Sequence, residues 1–153
     1  MSILKNPKYS YLTLKQSIFF RFWKKFFYWY CNTVFTFYTP VKINGRKNIP
    51  SGSAIFCSNH NSHMDVALIS SAAGRSFNHF GMLAAIDYWF DSKTKKFLTN
   101  LVMNLIPIAR KANGKKSGIS FSDTITLSKH FMENGSRNIV IFPEGSRGKP
   151  GIM

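Results

Sequence analysis

The segment Asn59-His60-Asn61-Ser62-His63-Met64-Asp65 sets an imidazole and a carboxylate five residues apart. Across a tight turn, that spacing lets Asp65 accept the ring N–H of His60, fix its tautomer and stabilise its protonated form. His60 is then equipped to take a proton from a hydroxyl. The chain has no Gly-x-Ser-x-Gly elbow, so a base acting directly on an alcohol is more economical than a covalent enzyme intermediate. Three other readings of the same residues stay open. Ser62-x-x-Asp65 is a capping-box spacing, with Asp in place of the usual Glu or Gln. His60, His63 and Asp65 could ligate a metal, although His-x-x-His-x-Asp is not a recognised helical zinc spacing. His63 alone reads as a core or supporting histidine.

A second candidate lies at Ile139-Val140-Ile141-Phe142-Pro143-Glu144-Gly145-Ser146-Arg147. A hydrophobic strand running into Pro-Glu-Gly-Ser-Arg offers exposed backbone N–H groups, a hydroxyl and a guanidinium, an inventory suited to phosphate. By itself, a Pro-Glu-Gly step after a strand is more often just a turn.

Both segments need elements to position them. Ala54-Ile55-Phe56-Cys57 is a continuous apolar run bounded by turn residues and suits a buried strand, with a helix from Val66 to Ala73 after the histidines. His79 to Leu83 suits another strand and Ser92 to Met103 a helix. Leu105-Ile106-Pro107-Ile108 is extended, with Pro107 arguing for an edge position or a bend. Arg110 to Gly118 is basic and glycine-containing, and reads as a mobile loop. Ser122-Asp123 can cap a helix to about Met132 that stops at Gly135, and Asn138 to Phe142 is a strand. Val41-Lys42-Ile43-Asn44-Gly45 alternates and reads as a further short strand, before a loop from Arg46 to Gly52. Strands alternating with helices predict an α/β fold, a layered sheet with flanking helices.

Ahead of this lies a different composition. The 153 residues carry 21 Lys and Arg against 6 Asp and Glu, a net charge of +15. No acidic residue precedes Asp65, whereas nine basic ones do, and residues 17–38 hold twelve aromatic side chains. Bulky rings mixed with Lys and Arg suit a lipid headgroup boundary, and a Phe-rich helix packed on the core is the alternative. Nucleic-acid binding is disfavoured, because no recognised binding motif accompanies the charge. The longest uncharged stretch of this aromatic segment, Phe26 to Val41, falls short of the roughly 20 apolar residues needed to span a bilayer. Residues 1–40 are therefore expected to form a membrane-associating helical segment, peripheral or interfacial, ahead of a domain over 41–153. Cys31 and Cys57 have no metal spacing and require no disulfide, in keeping with a reducing, cytoplasmic setting.

Taken together, Asn59-His60-x-Ser62-x-x-Asp65 and Phe142-Pro143-Glu144-Gly145-Ser146-Arg147 resemble the His-x4-Asp and Phe-Pro-Glu-Gly-Thr-Arg motifs of the phospholipid/glycerol acyltransferases. These include the 1-acyl-sn-glycerol-3-phosphate acyltransferases. The resemblance extends to Val41 through Pro50 and to Leu105-Ile106-Pro107-Ile108-Ala109-Arg110. It implies a glycerol-3-phosphate acyltransferase-like fold, with His60 as general base and Asp65 as its orienting partner. Arg110, Glu144, Gly145, Ser146 and Arg147 would shape the acceptor site, the arginines pairing with its phosphate.

The implied donor is an acyl thioester on coenzyme A or acyl carrier protein, and the implied acceptor is a lysophosphatidate-like lysophospholipid. Neither a metal nor a bound cofactor is called for. Lys111, Lys115 and Lys116 could meet the donor's phosphates or an acidic carrier, or simply be solvated. The reaction would take place at the cytoplasmic side of a phospholipid membrane. Asn104 stands where the family commonly has glycine, and Ser146 where it has threonine. The chain stops at Met153 whereas family domains continue, which implies a fold incomplete at the C-terminus. That leaves two readings: the N-terminal part of an active enzyme, or a truncated, inactive, peripheral membrane-binding homologue.

Overall fold

A computed structural model describes residues 2–109 and 118–145. Its regular elements are, in chain order, α1 (Ser10–Thr13), α2 (Ile18–Phe37), β1 (Ile55–Cys57), α3 (Asp65–Ala73), β2 (Phe80–Ala85), α4 (Ile86–Trp89), α5 (Lys93–Val102), β3 (Asn104–Ile108), α6 (Phe121–Glu133) and β4 (Asn138–Ile141), with short 3-10 turns between some of them.

The four strands form one parallel sheet in the order β1-β4-β2-β3. Each is a short apolar run, the composition a parallel sheet needs when both its faces are covered. In β4 the alternation separates the two cores. Ile139 and Ile141 pack with Tyr9, Leu12, Ile106, Leu127 and Phe131 beneath α1 and α6. Val140 and Phe142 pack with Cys31, Phe35, Val66, Ala67, Phe77 and Phe80 beneath α2 and α3. The result is a mixed α/β fold with a layer of helices on each face of the sheet.

Buried amides fasten the strand ends. Asn138 accepts from the Ala54 amide at 3.0 Å and from Arg75 at 3.2 Å, tying the entrance of β1 to the turn before β2. Asn104 donates to the Phe77 and Phe80 carbonyls at 3.0 and 2.8 Å and accepts from Gln16 at 2.7 Å. A glycine at position 104 could make none of the three side-chain bonds. Gln16 in turn accepts from Lys24 at 3.0 Å, so a fully buried lysine of α2 is anchored to the edge of the sheet.

Several expectations need correction. Val41 to Gly45 is not a strand. The Val41 amide closes the end of α2 on the Phe35 carbonyl at 3.2 Å, and Gly45, at φ +75°, leads into a 3-10 turn. Alternation does not make a strand where no neighbour completes the ladder. The first strand is not buried either. As an edge strand, β1 leaves Ile55 57% exposed, beside an apolar groove of about 450 Å³ shared with Ile125, Met132 and Ile139. The cap of α6 is Ser120 rather than Ser122. Its hydroxyl takes the Asp123 amide at 3.1 Å while the Asp123 carboxylate returns to the Ser120 amide at 3.1 Å. That reciprocal pair satisfies two otherwise orphaned donors. Pro107 lies on the edge strand β3, the place in a sheet where a residue without an N–H is tolerated. The basic loop lies outside the described residues apart from its last glycine, Gly118.

Candidate active site

Adjacent parallel strands deliver the two motifs to the same end of the sheet. The Ser58 amide donates to the Ile141 carbonyl at 3.2 Å, carrying the β1–β4 pairing one residue beyond β1. From there one chain turns through Asn59–Met64 into α3, and the other turns through Phe142–Gly145. The crevice at the carboxyl ends of parallel strands is where α/β folds bind ligands.

Asp65 is the first residue of α3. A single oxygen, Oδ2, accepts from His60 Nδ1 at 2.9 Å, from the Asn61 amide at 2.8 Å and from the Ser62 amide at 2.9 Å. The carboxylate therefore closes the turn and orients the imidazole at once. Ser62 supplies only part of a capping box, since its hydroxyl accepts from the Met64 amide at 3.1 Å. Burial alone would raise the Asp65 carboxyl. The Ser62 amide, the His60 ring and the Asn61 amide outweigh it and hold the group below the ordinary carboxylate value. Because a carboxylate only accepts, the proton of neutral His60 belongs on Nδ1, which makes Nε2 the basic nitrogen. The His60 and Asp65 side chains are 22% and 13% exposed, so the pair is shielded yet reachable.

Phe142, at the end of β4, stacks on this ring with centroids 4.1 Å apart and planes 19° from parallel. The imidazole is thus held by a hydrogen bond in its plane and by an aromatic face against its own. In the turn that follows, the Gly145 amide donates to the Phe142 carbonyl at 3.0 Å, and Gly145 adopts φ +70°, a conformation that favours glycine. Glu144 is exposed on this turn.

The family model for acyltransferases matches residues 40–152. The chain belongs to the phospholipid/glycerol acyltransferase family. No curated protein and no solved structure matches it.

Of the acyltransferase's expected site residues, the structure brings together His60 and Asp65 and sets Glu144 and Gly145 on the neighbouring strand's turn. Arg110, Ser146 and Arg147 lie outside the described residues. Ala109, next to Arg110 in the chain, follows β3 at the same end of the sheet, two strand positions from β4. His63 is exposed, not a core histidine. Among the described residues no three His, Cys, Asp or Glu side chains converge as a metal site.

The contact between Phe142 and His60 is not legible in the sequence. Phe142 stood in the quoted motif, but stacking depends on β1 and β4 being neighbours, and strand order is not written in either segment.

Proposed function

We propose that this acyltransferase moves a fatty acyl group from a thioester of coenzyme A or acyl carrier protein to the free hydroxyl of a lysophosphatidate-like acceptor. One observation supports this above all: the Asp65 carboxylate holds the His60 ring through Nδ1 at 2.9 Å, so that Nε2 is presented as the base. In this reading Nε2 takes the hydroxyl proton as the acceptor oxygen attacks the thioester carbonyl. Collapse of the tetrahedral intermediate breaks the C–S bond, and the imidazolium returns its proton to the leaving thiolate. Ester and thiol are the products, and the balance requires no metal or bound cofactor. Asp65, kept ionised, stabilises the transient imidazolium.

Glu144 and Gly145, with Arg110, Ser146 and Arg147, would form the acceptor site, the two guanidiniums pairing with its phosphate. The acceptor is membrane-borne, and α2 exposes Ile18, Phe19, Phe22, Phe26 and Trp29 on one side while Cys31 and Phe35 pack inward. Such a face beside Arg21 and Lys25 suits peripheral attachment to an anionic, cytoplasmic membrane surface. Among the described residues no helix is long and apolar enough to cross a membrane. The same face favours a second reading, a catalytically inactive, peripheral membrane-binding homologue.

The deciding experiment follows thiol release from acyl-coenzyme A and acyl carrier protein with lysophosphatidate in mixed vesicles. Acceptor-dependent release that is lost in His60→Ala supports the enzyme. Vesicle binding without release supports the second reading.

A further inference from the structure

The exposed aromatic surface does not stop at α2. Rings follow one another across the gap between two helices: Phe97 of α5 meets Phe20 at 5.8 Å, Phe20 meets Phe19 at 5.6 Å, Phe19 meets Trp23 at 6.3 Å and Trp23 meets Phe26 at 5.5 Å. On α5 itself Phe97 is 49% and Leu98 56% exposed. This helix is amphipathic yet buries no residue fully.

The two helices are also pinned to each other. Lys24 of α2, fully buried, donates to the carbonyl of Asn100 on α5 as well as to Gln16. Their exposed apolar residues therefore form one fixed surface, whereas two separately mobile helices could tilt independently.

Charge selects what this surface meets. Within α2 and α5 there are six basic residues and no acidic one. Of these, Lys24 is buried, Lys95 turns to the Tyr88 carbonyl and Lys96 donates to the Lys8 carbonyl at 2.7 Å, while Arg21, Lys25 and Lys93 remain exposed. A symmetric dimer through this face would set Arg21, Lys25 and Lys93 against like charges, and the acid just before α5, Asp91, is already paired with Lys95 at 3.4 Å. An anionic bilayer supplies the opposite sign and an apolar interior for the rings.

We propose that α5 is a second membrane-docking element, its Phe97 and Leu98 entering an anionic bilayer beside the aromatic face of α2. This rests on the reading of α2 as a membrane-binding helix. Its added consequence is orientation. A single interfacial helix leaves the domain free to roll about that helix, whereas a second line of contact fixes the attitude at which the catalytic crevice faces the lipid.

The test is co-sedimentation of the full chain with phosphatidylcholine vesicles, with and without phosphatidylglycerol. Phe97→Ser/Leu98→Ser is compared with Phe22→Ser/Trp29→Ser, and circular dichroism checks that each variant is folded. The expected result is binding that depends on phosphatidylglycerol and weakens with salt, reduced about tenfold or more by either double substitution. Phe97→Leu/Leu98→Ile should bind like the wild type. Wild-type affinity in Phe97→Ser/Leu98→Ser, with loss in the α2 variant, would overturn the role of α5 and leave the α2 reading standing. A wild-type chain that binds no vesicle overturns both. A lipid-free dimer that Phe97→Ser/Leu98→Ser dissociates, and that vesicles do not disperse, assigns the surface to a second copy.

Discussion

The Phe142 ring lies against the His60 imidazole, 4.1 Å between centroids and 19° from parallel, although the two residues follow different strands. The contact exists because β1 and β4 pair in parallel, with Cys57 opposite Ile141. It limits tilting of a ring that Asp65 holds at one corner only. Phe142→Leu, which retains an apolar side chain but loses the flat face, should lower kcat about tenfold with KM nearly unchanged. Phe142→Tyr should restore most of the rate. A change confined to KM would show that Phe142 acts in binding instead.

For the pair itself the expectation is larger. His60→Ala should reduce acceptor-dependent thioester cleavage by about 100-fold to 10,000-fold. Asp65→Asn should lose about 100-fold or more, because its amide can donate to Nδ1 and favour the wrong tautomer. Since the residues act as a unit, the double variant should be no worse than His60→Ala. Multiplying losses in steady-state kinetics would refute a shared role.

Asp65 also ties the site to acid stability. Its carboxyl is held below the ordinary value in the folded chain, so its stabilisation is complete above the unfolded pKa of ~3.9 and is lost as pH falls through the folded value. Urea unfolding should therefore show wild type more stable than Asp65→Asn above the unfolded carboxyl pKa, with the two converging as the pH falls below about 4. A gap independent of pH would mean that the bonds to Asn61 and Ser62 survive protonation.

What the sequence disclosed follows physical range. Helices α3, α5 and α6 and strands β2, β3 and β4 declare themselves in local apolar periodicity, and His60 and Asp65 are near enough in the chain for their pairing to be read from spacing. Strand order is a long-range property, and this is why Ile55 was expected inside and lies at an edge. Val41 to Gly45 shows the same limit from the other side, a strand pattern with no neighbouring strand. The buried Lys24 was invisible for a related reason, since it sits in a run of aromatic and basic residues that reads as a solvated or lipid-facing helix. Only the fold shows Gln16 and Asn100 gathered around its amine.

Lys24 makes its own prediction. Burial, with help from the Arg137 charge, brings its amine down from 10.5 to about 7. Between those values the unfolded chain binds the extra proton, so stability should rise as pH increases from about 7 towards 9. Lys96, lowered by burial and by Lys8, acts in the same direction, while Cys31, raised by burial from its ordinary 9.0, opposes it near and above pH 9, and Tyr9 and Tyr11, both raised by burial, near and above pH 10. Lys24→Met should flatten the slope in chemical denaturation. A slope unchanged by the substitution would assign it to other groups.

A last prediction tests the packing beneath the sheet. Gly81 is buried in β2, between β4 and β3. A Cβ added there would lie 2.9 Å from Ile106 Cδ1, 2.9 Å from Phe131 Cε1 and 3.2 Å from Phe131 Cδ1. The Ile106 methyl is the end of a flexible side chain and can turn away. Phe131 cannot do so as readily, because one whole edge of its ring faces Gly81 and the Arg137 guanidinium covers its face at 4.9 Å. Gly81→Ala should therefore cost about 1–3 kcal/mol, a fall in Tm of roughly 3–10 °C. Gly52→Ala, where a Cβ meets nothing within 4 Å, serves as the control and should leave Tm close to the wild-type value. Shortening the opposing ring in Gly81→Ala/Phe131→Leu should make the two substitutions less than additive, because the added methyl then fills space the ring vacated. Strict additivity in thermal unfolding would place the strain of Gly81→Ala somewhere other than Phe131.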